Sequence, residues 1–249
     1  MADTVWGPTS ASAVTARAVG PRHAGVVRVT HWITTLSFLA LLVSGAEILL
    51  SHPRFYWGET GNVLSPPLFQ LPVPSSRDTV PTAYGYVLRD QNGWSRYLHF
   101  QSAWVVVGTG LVYVITGLWS GHFRRNLMPA RADLAWRKLT SVIAQDLRLS
   151  PASEEAVWSY NVLQRITYLL VIFVLFPLIV WTGLAMSPAI ASAYPFAVAV
   201  LGGQQSARTI HFLVTVLLVL FLLVHVAMVF LAGFRSRMRS IITGRPDRG

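Results

Sequence analysis

One uninterrupted apolar segment constrains the fold of this chain more than any other feature. Residues 209–232 read TIHFLVTVLLVLFLLVHVAMVFLA and contain no Asp, Glu, Lys or Arg. A helix rises about 1.5 Å per residue, so a segment of twenty-four residues is long enough to cross a hydrocarbon core of about 30 Å. The segment therefore predicts a membrane-spanning helix.

Two histidines interrupt this apolar segment. His211 and His225 are fourteen residues apart, close to four helical turns, so they share one face and lie about 21 Å apart along the axis. Ionisable residues inside a span are costly and by default indicate function. The alternative is that both are neutral imidazoles hydrogen-bonded to neighbouring helices.

The rest of the chain has the composition of a membrane protein. It is 53% hydrophobic and only 12% charged, and it contains three further apolar spans. The predicted spans are residues 26–50, 97–119, 164–186 and 209–232. The formal charge is +10, but the basic residues flank the spans, which is typical of membrane topology and not of nucleic-acid binding.

The basic residues also predict an orientation. They are concentrated before the first span, between the second and third spans, and after the fourth. The positive-inside rule places these segments and both termini in the cytoplasm. We therefore expect an all-α integral membrane four-helix bundle in a cytoplasmic membrane of bacterial type. Residues 1–22 are an N-terminal tail, 23–243 the four-span domain and 244–249 a C-terminal tail; no cleaved signal peptide is expected.

With this orientation, four histidines fall into two levels of the bundle. His99 begins span two and His211 begins span four, both at the outer surface; His31 begins span one at the cytoplasmic surface, where His225 also lies. Two imidazoles at one level suit the two axial positions of a haem iron, and helical bundles commonly hold such cofactors between facing helices. The chain has no cysteine, so covalent c-type attachment is excluded and any haem is b-type. The sequence thus predicts two haem b groups, one bound by each histidine pair.

An arginine lies three residues before three of these histidines. One helical turn separates each arginine from its histidine, so both lie on the same face. Such an arginine is placed to pair with haem propionates, although arginines also extend to the membrane surface from helix ends. The three residues are Arg28, Arg96 and Arg208.

Spans one and three carry a weak internal similarity. The segment WTGLAMS of span three is similar to LVSGAEI at the corresponding end of span one. It places Gly45 and Gly183 at comparable depths, which fits a pseudo-repeat. Along span two lie Gly108, Gly110 and Gly117, where small residues allow a close approach between helices or leave room for a flat cofactor.

Several motifs carry a resemblance to a known family. They are VTHW, RYLHF, YNVLQRITYLL, FPLIVWTGLAM, RTIHFLVTVLLVLFLLVHVAMVF and the tail RSRMRSIITG. Over residues 26–243 the chain resembles the dihaem cytochrome b family of respiratory membrane subunits. This family includes the b-type cytochrome of nickel–iron hydrogenase, the gamma subunit of formate dehydrogenase and the cytochrome b subunit of thiosulfate reductase.

The resemblance implies two bis-histidine haems and a quinone site near the cytoplasmic haem. Asn161 and Gln164 match the segment that lines the quinone pocket in formate dehydrogenase-like members. Helix capping by Asn161 and interfacial solvation of Gln164 are the structural alternatives for these two residues.

The sequence therefore predicts a membrane-anchoring dihaem cytochrome b, the electron-transfer subunit of a quinone-linked respiratory oxidoreductase. It would pass electrons between the quinone pool and a hydrophilic partner on the outer face: a molybdenum enzyme, a hydrogenase or a multihaem cytochrome. Two alternatives remain. The first is a stand-alone cytochrome b that oxidises quinol, and the second is a transporter or assembly factor without haem.

Overall fold

The computed structural model describes residues 24–62, 64–73, 91–129, 162–231 and 233–244. In this part of the chain, four helices are long and apolar enough to cross a membrane. They are α1 (Gly25–Ser51), α2 (Gln91–Trp119), α3 (Val162–Ala185) and α6 (Gln204–Leu231). The predicted all-α integral membrane bundle is confirmed, and exposed apolar side chains along its helices provide the surface that faces lipid.

The four long helices form two antiparallel hairpins. Helix α1 packs along α2, and α3 packs along α6. Among the described residues, close backbone approach is concentrated within each hairpin and is sparse between the two hairpins. The interior between the hairpins is therefore spanned mainly by side chains.

An apolar layer divides this interior into two levels. Val171 and Leu175 of α3 pack on Val214 and Leu218 of α6, and Phe38 of α1 lies against the same cluster. On α6 this layer falls between the positions of the two histidines. The hydrophobic side chains thus separate the outer and inner ends, which we name after the predicted orientation.

Helix α3 is not regular along its whole length. Residues Val171–Leu175 form a π-helical turn just before Pro177. Proline has no backbone N–H, and its ring collides with the carbonyl of the preceding turn, so a local widening of the helix accommodates it. The helix therefore crosses the bundle without ending at the proline.

Short elements lie between and after the long helices. Two strands of two residues pair antiparallel, with Arg54 opposite Gln70 and Phe55 opposite Phe69; the sequence pattern did not predict them. The remaining elements are β1 (Arg54–Phe55), β2 (Phe69–Gln70), α4 (Pro188–Ala193), α5 (Phe196–Ala199), α7 (Phe234–Thr243) and a π-helical turn at Phe123–Leu127.

The connection after α1 is tied to the first turn of α6. Helix α6 begins at Gln204, five residues before the predicted span, because these first residues bind the connection. The backbone N–H of Gly58 donates to Ser206 Oγ (2.7 Å), and the N–H of Ser206 donates to the Gly58 carbonyl (3.2 Å). A Cβ on Gly203 would lie 2.5 Å from the backbone of Gly58, so a glycine is required for this approach.

Candidate haem sites

The four histidines come together as two pairs. The ring centroids of His99 and His211 are 6.3 Å apart with planes at 56°. Those of His31 and His225 are 6.4 Å apart with planes at 50°. Each pair joins one helix of the first hairpin to α6. The two histidines of each pair are those that the sequence predicts at the same depth in the membrane.

The spacing within each pair fits two imidazoles on opposite sides of one metal ion. A metal–imidazole nitrogen bond is about 2.0 Å, which places two axial ring centres about 6 Å apart. In the described part of the chain, no three His, Cys, Asp or Glu side chains gather as a free metal site would require. A haem iron needs only two ligands from the protein, because the porphyrin supplies the others.

A hydroxyl group orients each ring of the outer pair. Ser44 Oγ lies 3.0 Å from His99 Nδ1 and donates its own proton to the Ala40 carbonyl at 2.7 Å. The hydroxyl therefore accepts the Nδ1–H of His99, and this tautomer leaves the lone pair of Nε2 available for a metal.

The second hairpin repeats this arrangement. Thr182 Oγ1 lies 3.0 Å from His211 Nδ1 and donates to the Leu178 carbonyl at 2.8 Å. Both hydroxyl residues are fully buried, with 0% of their surface exposed. The two outer histidines thus have the same hydrogen-bonding environment on the two hairpins.

A glycine follows each of these hydroxyl residues and faces the same imidazole. A Cβ added at Gly45 would lie 3.5 Å from His99 Cε1, and one at Gly183 would lie 3.4 Å from His211 Cε1. A Cβ at either position would be in van der Waals contact with the ring, so atoms beyond Cβ on that side would need the space that the ring occupies. The similarity between WTGLAMS and LVSGAEI located the two glycines, but Ser44 and Thr182 were not predicted as site residues. The signal for them was that a hydroxyl residue precedes the glycine in both segments.

The inner pair lies among aromatic rings instead. His225 contacts Phe221 in a stacked geometry at 5.8 Å and Tyr168 edge-on at 6.3 Å. His31 meets the ring of Trp32 edge-on at 5.5 Å. The Nδ1 atom of His31 is buried and has no hydrogen-bond partner among the described residues.

The three predicted arginines differ in their surroundings. Arg96 is exposed one turn before His99. The guanidinium of Arg208 donates to the carbonyls of His52 and Arg54 at 2.6 and 2.7 Å, so it also holds the connection that follows α1. Arg28 donates to the carbonyl of Ile242 in α7 at 2.7 Å.

Of the two predicted quinone residues, Gln164 lies toward the inner end. Gln164 is half-buried on α3, one turn before Tyr168, whose ring contacts His225. Residues four apart share a helix face, so Gln164 is on the side of α3 that approaches the inner pair. Asn161 lies outside the described residues.

Another histidine, His122, lies just beyond α2 and outside the two pairs. Its Nδ1 is 2.8 Å from Asn126 Nδ2, and its ring contacts Tyr113 and Phe123. Burial lowers the pKa of His122, and the positive charge of Arg125 lowers it further. Because His122 belongs to neither pair, it is a suitable control for substitutions of the paired histidines.

Comparison with known proteins agrees with this architecture. Residues 22–244 match the family of prokaryotic cytochrome b561. Among curated proteins, the putative protein-methionine-sulfoxide reductase subunit YedZ1 of Azospira oryzae is 29% identical over 212 residues, which cover 83% of this chain and 89% of that protein. No solved structure matches the chain. The chain therefore belongs to the prokaryotic cytochrome b561 family and is a membrane haem b subunit that works in electron transfer.

Proposed function

We propose that the chain holds two haem b groups, the outer one on His99 and His211 and the inner one on His31 and His225. The observation that carries this proposal is the presence of two imidazole pairs with nearly equal spacing, 6.3 and 6.4 Å, at two levels of one bundle. Bound haem supplies a one-electron carrier at each level. The apolar layer between the levels keeps water away from the path between them.

The residues of the chain determine how each carrier would be held. Ser44 and Thr182 fix the tautomer and the plane of the outer ligands through their Nδ1 atoms. Phe221 and Tyr168 pack against the inner ligand His225. Arg96 and Arg208 at the outer end, and Arg28 at the inner end, would pair with propionates.

We infer that quinone or quinol reacts at the inner end. Gln164 offers an amide on the face of α3 that leads to Tyr168 and His225. An amide and a phenol supply the donors that a quinone oxygen needs. Asn161 belongs to the same predicted pocket.

On the outer face, we propose a hydrophilic redox subunit as the partner. The relative YedZ1 is named as a subunit of a putative protein-methionine-sulfoxide reductase. The candidate partners are therefore a molybdenum enzyme, a hydrogenase, a multihaem cytochrome and a sulfoxide reductase. A reductase would take electrons from the chain, so electrons would run from quinol at the inner end to the partner at the outer end of a cytoplasmic membrane.

Haem content and quinol reactivity test the proposal together. The purified chain should contain two haem b per polypeptide in a pyridine haemochrome assay, and a short-chain quinol should reduce both without a partner. A sulfoxide reductase that co-purifies should reoxidise them on addition of a sulfoxide.

Three results would count against parts of this proposal. A chain without a b-type α band would favour a transporter or assembly factor. A single haem per chain would contradict the two-level assignment. A chain that turns over quinol with a diffusible acceptor and never co-purifies with a hydrophilic subunit would be a stand-alone cytochrome.

A further inference from the structure

Several buried polar atoms at the inner end have no hydrogen-bond partner among the described residues, and four of them can act together as donors. Well over 90% of buried backbone groups and most buried side-chain polar atoms in proteins are paired, so a group of unpaired ones requires an explanation. These four atoms are Arg28 Nε, His31 Nδ1, Trp32 Nε1 and Ser240 Oγ.

These atoms belong to two elements that a hydrogen bond connects. Arg28, His31 and Trp32 are at positions i, i+3 and i+4 of α1, which is one face of a helix. The Arg28 guanidinium donates to the Ile242 carbonyl at 2.7 Å, so the first turn of α1 is hydrogen-bonded to α7. Ser240 is two residues from Ile242 on that same short helix.

Ser240 differs from the buried hydroxyls of the long helices. Thr30, Ser44 and Thr182 each donate to the carbonyl four residues earlier, at 2.7 to 2.8 Å. Ser240 is 0% exposed, yet its hydroxyl makes no such bond in the described structure. The Ser240 hydroxyl does not bond the backbone carbonyl that a helix offers it. It can therefore donate to a group that is not part of the protein chain.

The chemistry of the four atoms identifies that group. Arg28 Nε–H and Trp32 Nε1–H can only donate, and Ser240 supplies a further hydroxyl donor. His31 Nδ1 is also a donor when Nε2 serves the metal. A site made of donors beside a guanidinium binds an anionic oxygen acceptor, that is, a carboxylate or a phosphate.

We propose that Arg28, Trp32 and Ser240 form a binding site for a propionate carboxylate of the inner haem. The proposal rests on the assignment of a haem to His31 and His225. Arg28 and Trp32 lie within one turn of His31 on α1, so an anion attached to the haem that His31 would hold is the one nearest to them. The short helix α7 thereby becomes part of the inner cofactor site.

Potentiometric titration of the two haems tests this site. Arg28→Gln removes a positive charge beside the carboxylate, so the oxidised inner haem gains stability. We expect the ratio of reduced to oxidised inner haem at a fixed applied potential to fall about tenfold. For one electron this corresponds to a midpoint potential that is lower by about 59 mV. Ser240→Ala should lower that ratio by about twofold to threefold, and Ser240→Thr should restore it. The outer haem should keep its potential in all three variants.

Matched controls come from the same short helix. Arg235 is exposed and Ser236 is half-buried on α7. Arg235→Gln and Ser236→Ala should leave both potentials unchanged. In addition, the propionate bending modes in the resonance Raman spectrum should change in Arg28→Gln and stay constant in Arg235→Gln.

The phosphate alternative gives a different outcome. If a phospholipid headgroup occupies the site, native mass spectrometry of the purified protein should show a bound lipid that Arg28→Gln releases, with the inner haem potential unchanged. That result, or equal shifts in Arg28→Gln and Arg235→Gln, would overturn the propionate site while two haems remain bound. Absence of haem from the wild-type chain would instead contradict the proposed function itself.

Discussion

The outer and inner histidine pairs have almost the same spacing but are held in different ways. Ser44 and Thr182, one on each hairpin, accept the Nδ1–H of the outer rings at 3.0 Å. The inner rings are packed by aromatic side chains, and His31 Nδ1 has no partner in the described structure. Hydrogen bonds therefore orient the imidazole rings of the outer pair, whereas packing against aromatic side chains orients those of the inner pair.

This difference bears on how each site tunes its cofactor. A hydrogen bond from Nδ1–H to an acceptor raises the basicity of the ligating nitrogen and stabilises the oxidised metal. The described protein side chains offer no such acceptor to His31 Nδ1, and unpaired donors lie at the same end of α1. If the two pairs bind haem as proposed, the surroundings of the outer pair would favour oxidised iron, and those of the inner pair would favour reduced iron. The two levels would therefore differ in potential even with identical axial ligands.

The largest expected effect comes from single histidine substitutions. His99→Ala and His211→Ala should each remove the outer haem, and His31→Ala and His225→Ala should each remove the inner one, because each iron would lose an axial ligand. Haem content and low-temperature spectra, which separate the two α bands, would measure this. His122→Ala is the control and should retain both haems. Loss of the same haem in His211→Ala and His225→Ala would show that the pairing is wrong.

A smaller effect is expected from filling the space beside an outer ring. Gly183→Val places methyl groups where His211 Cε1 is 3.4 Å from the Cβ position. Overpacking of this kind costs about 1 to 3 kcal/mol, so the outer haem should be lost at lower denaturant concentration, while the inner haem is unaffected. Gly110→Val is the matched control, since nothing lies within 4 Å of its Cβ position. Equal effects of the two valines would indicate a general helix defect.

The smallest expected effect comes from removing the outer hydroxyls. Ser44→Ala or Thr182→Val deletes the acceptor of a histidine Nδ1–H, an interaction of about 1 kcal/mol. The outer haem potential should rise and the inner one should stay constant in a redox titration. Thr35→Val is the control: its hydroxyl donates to the His31 carbonyl at 2.8 Å and contacts no imidazole. An unchanged outer potential in both hydroxyl variants would remove the distinction between the two sites.

Much of this organisation could be predicted from the sequence. Apolar segments of membrane length reveal spans because lipid offers no hydrogen bonds to an exposed backbone. The spacing of His211 and His225 follows from helical geometry alone. The assignment of each to a partner needed only the order of the spans and the side of the membrane on which each begins. The match of WTGLAMS to LVSGAEI also located the two glycines that face the outer rings.

Other features depend on contacts between segments that are distant in the sequence. Ser44 and His99 are 55 residues apart, and Arg28 and Ile242 are 214 apart; no local pattern marks either contact. The use of Arg208 to bind the connection after α1 was also not predicted, since its position suggested a propionate partner. A helical repeat reports which face a residue occupies, but not which side chain from another helix meets it there.

The sequence by itself determined the number of spans, the two levels of histidines and the absence of covalent haem attachment. These follow from hydropathy, helical periodicity and the lack of cysteine, which are properties of single segments. Only the tertiary structure determined which hydroxyl orients which imidazole, and that Arg28 of α1 donates to the Ile242 carbonyl of α7. The reason is physical: hydrogen bonds act over about 3 Å, so they depend on helix packing that no single segment specifies.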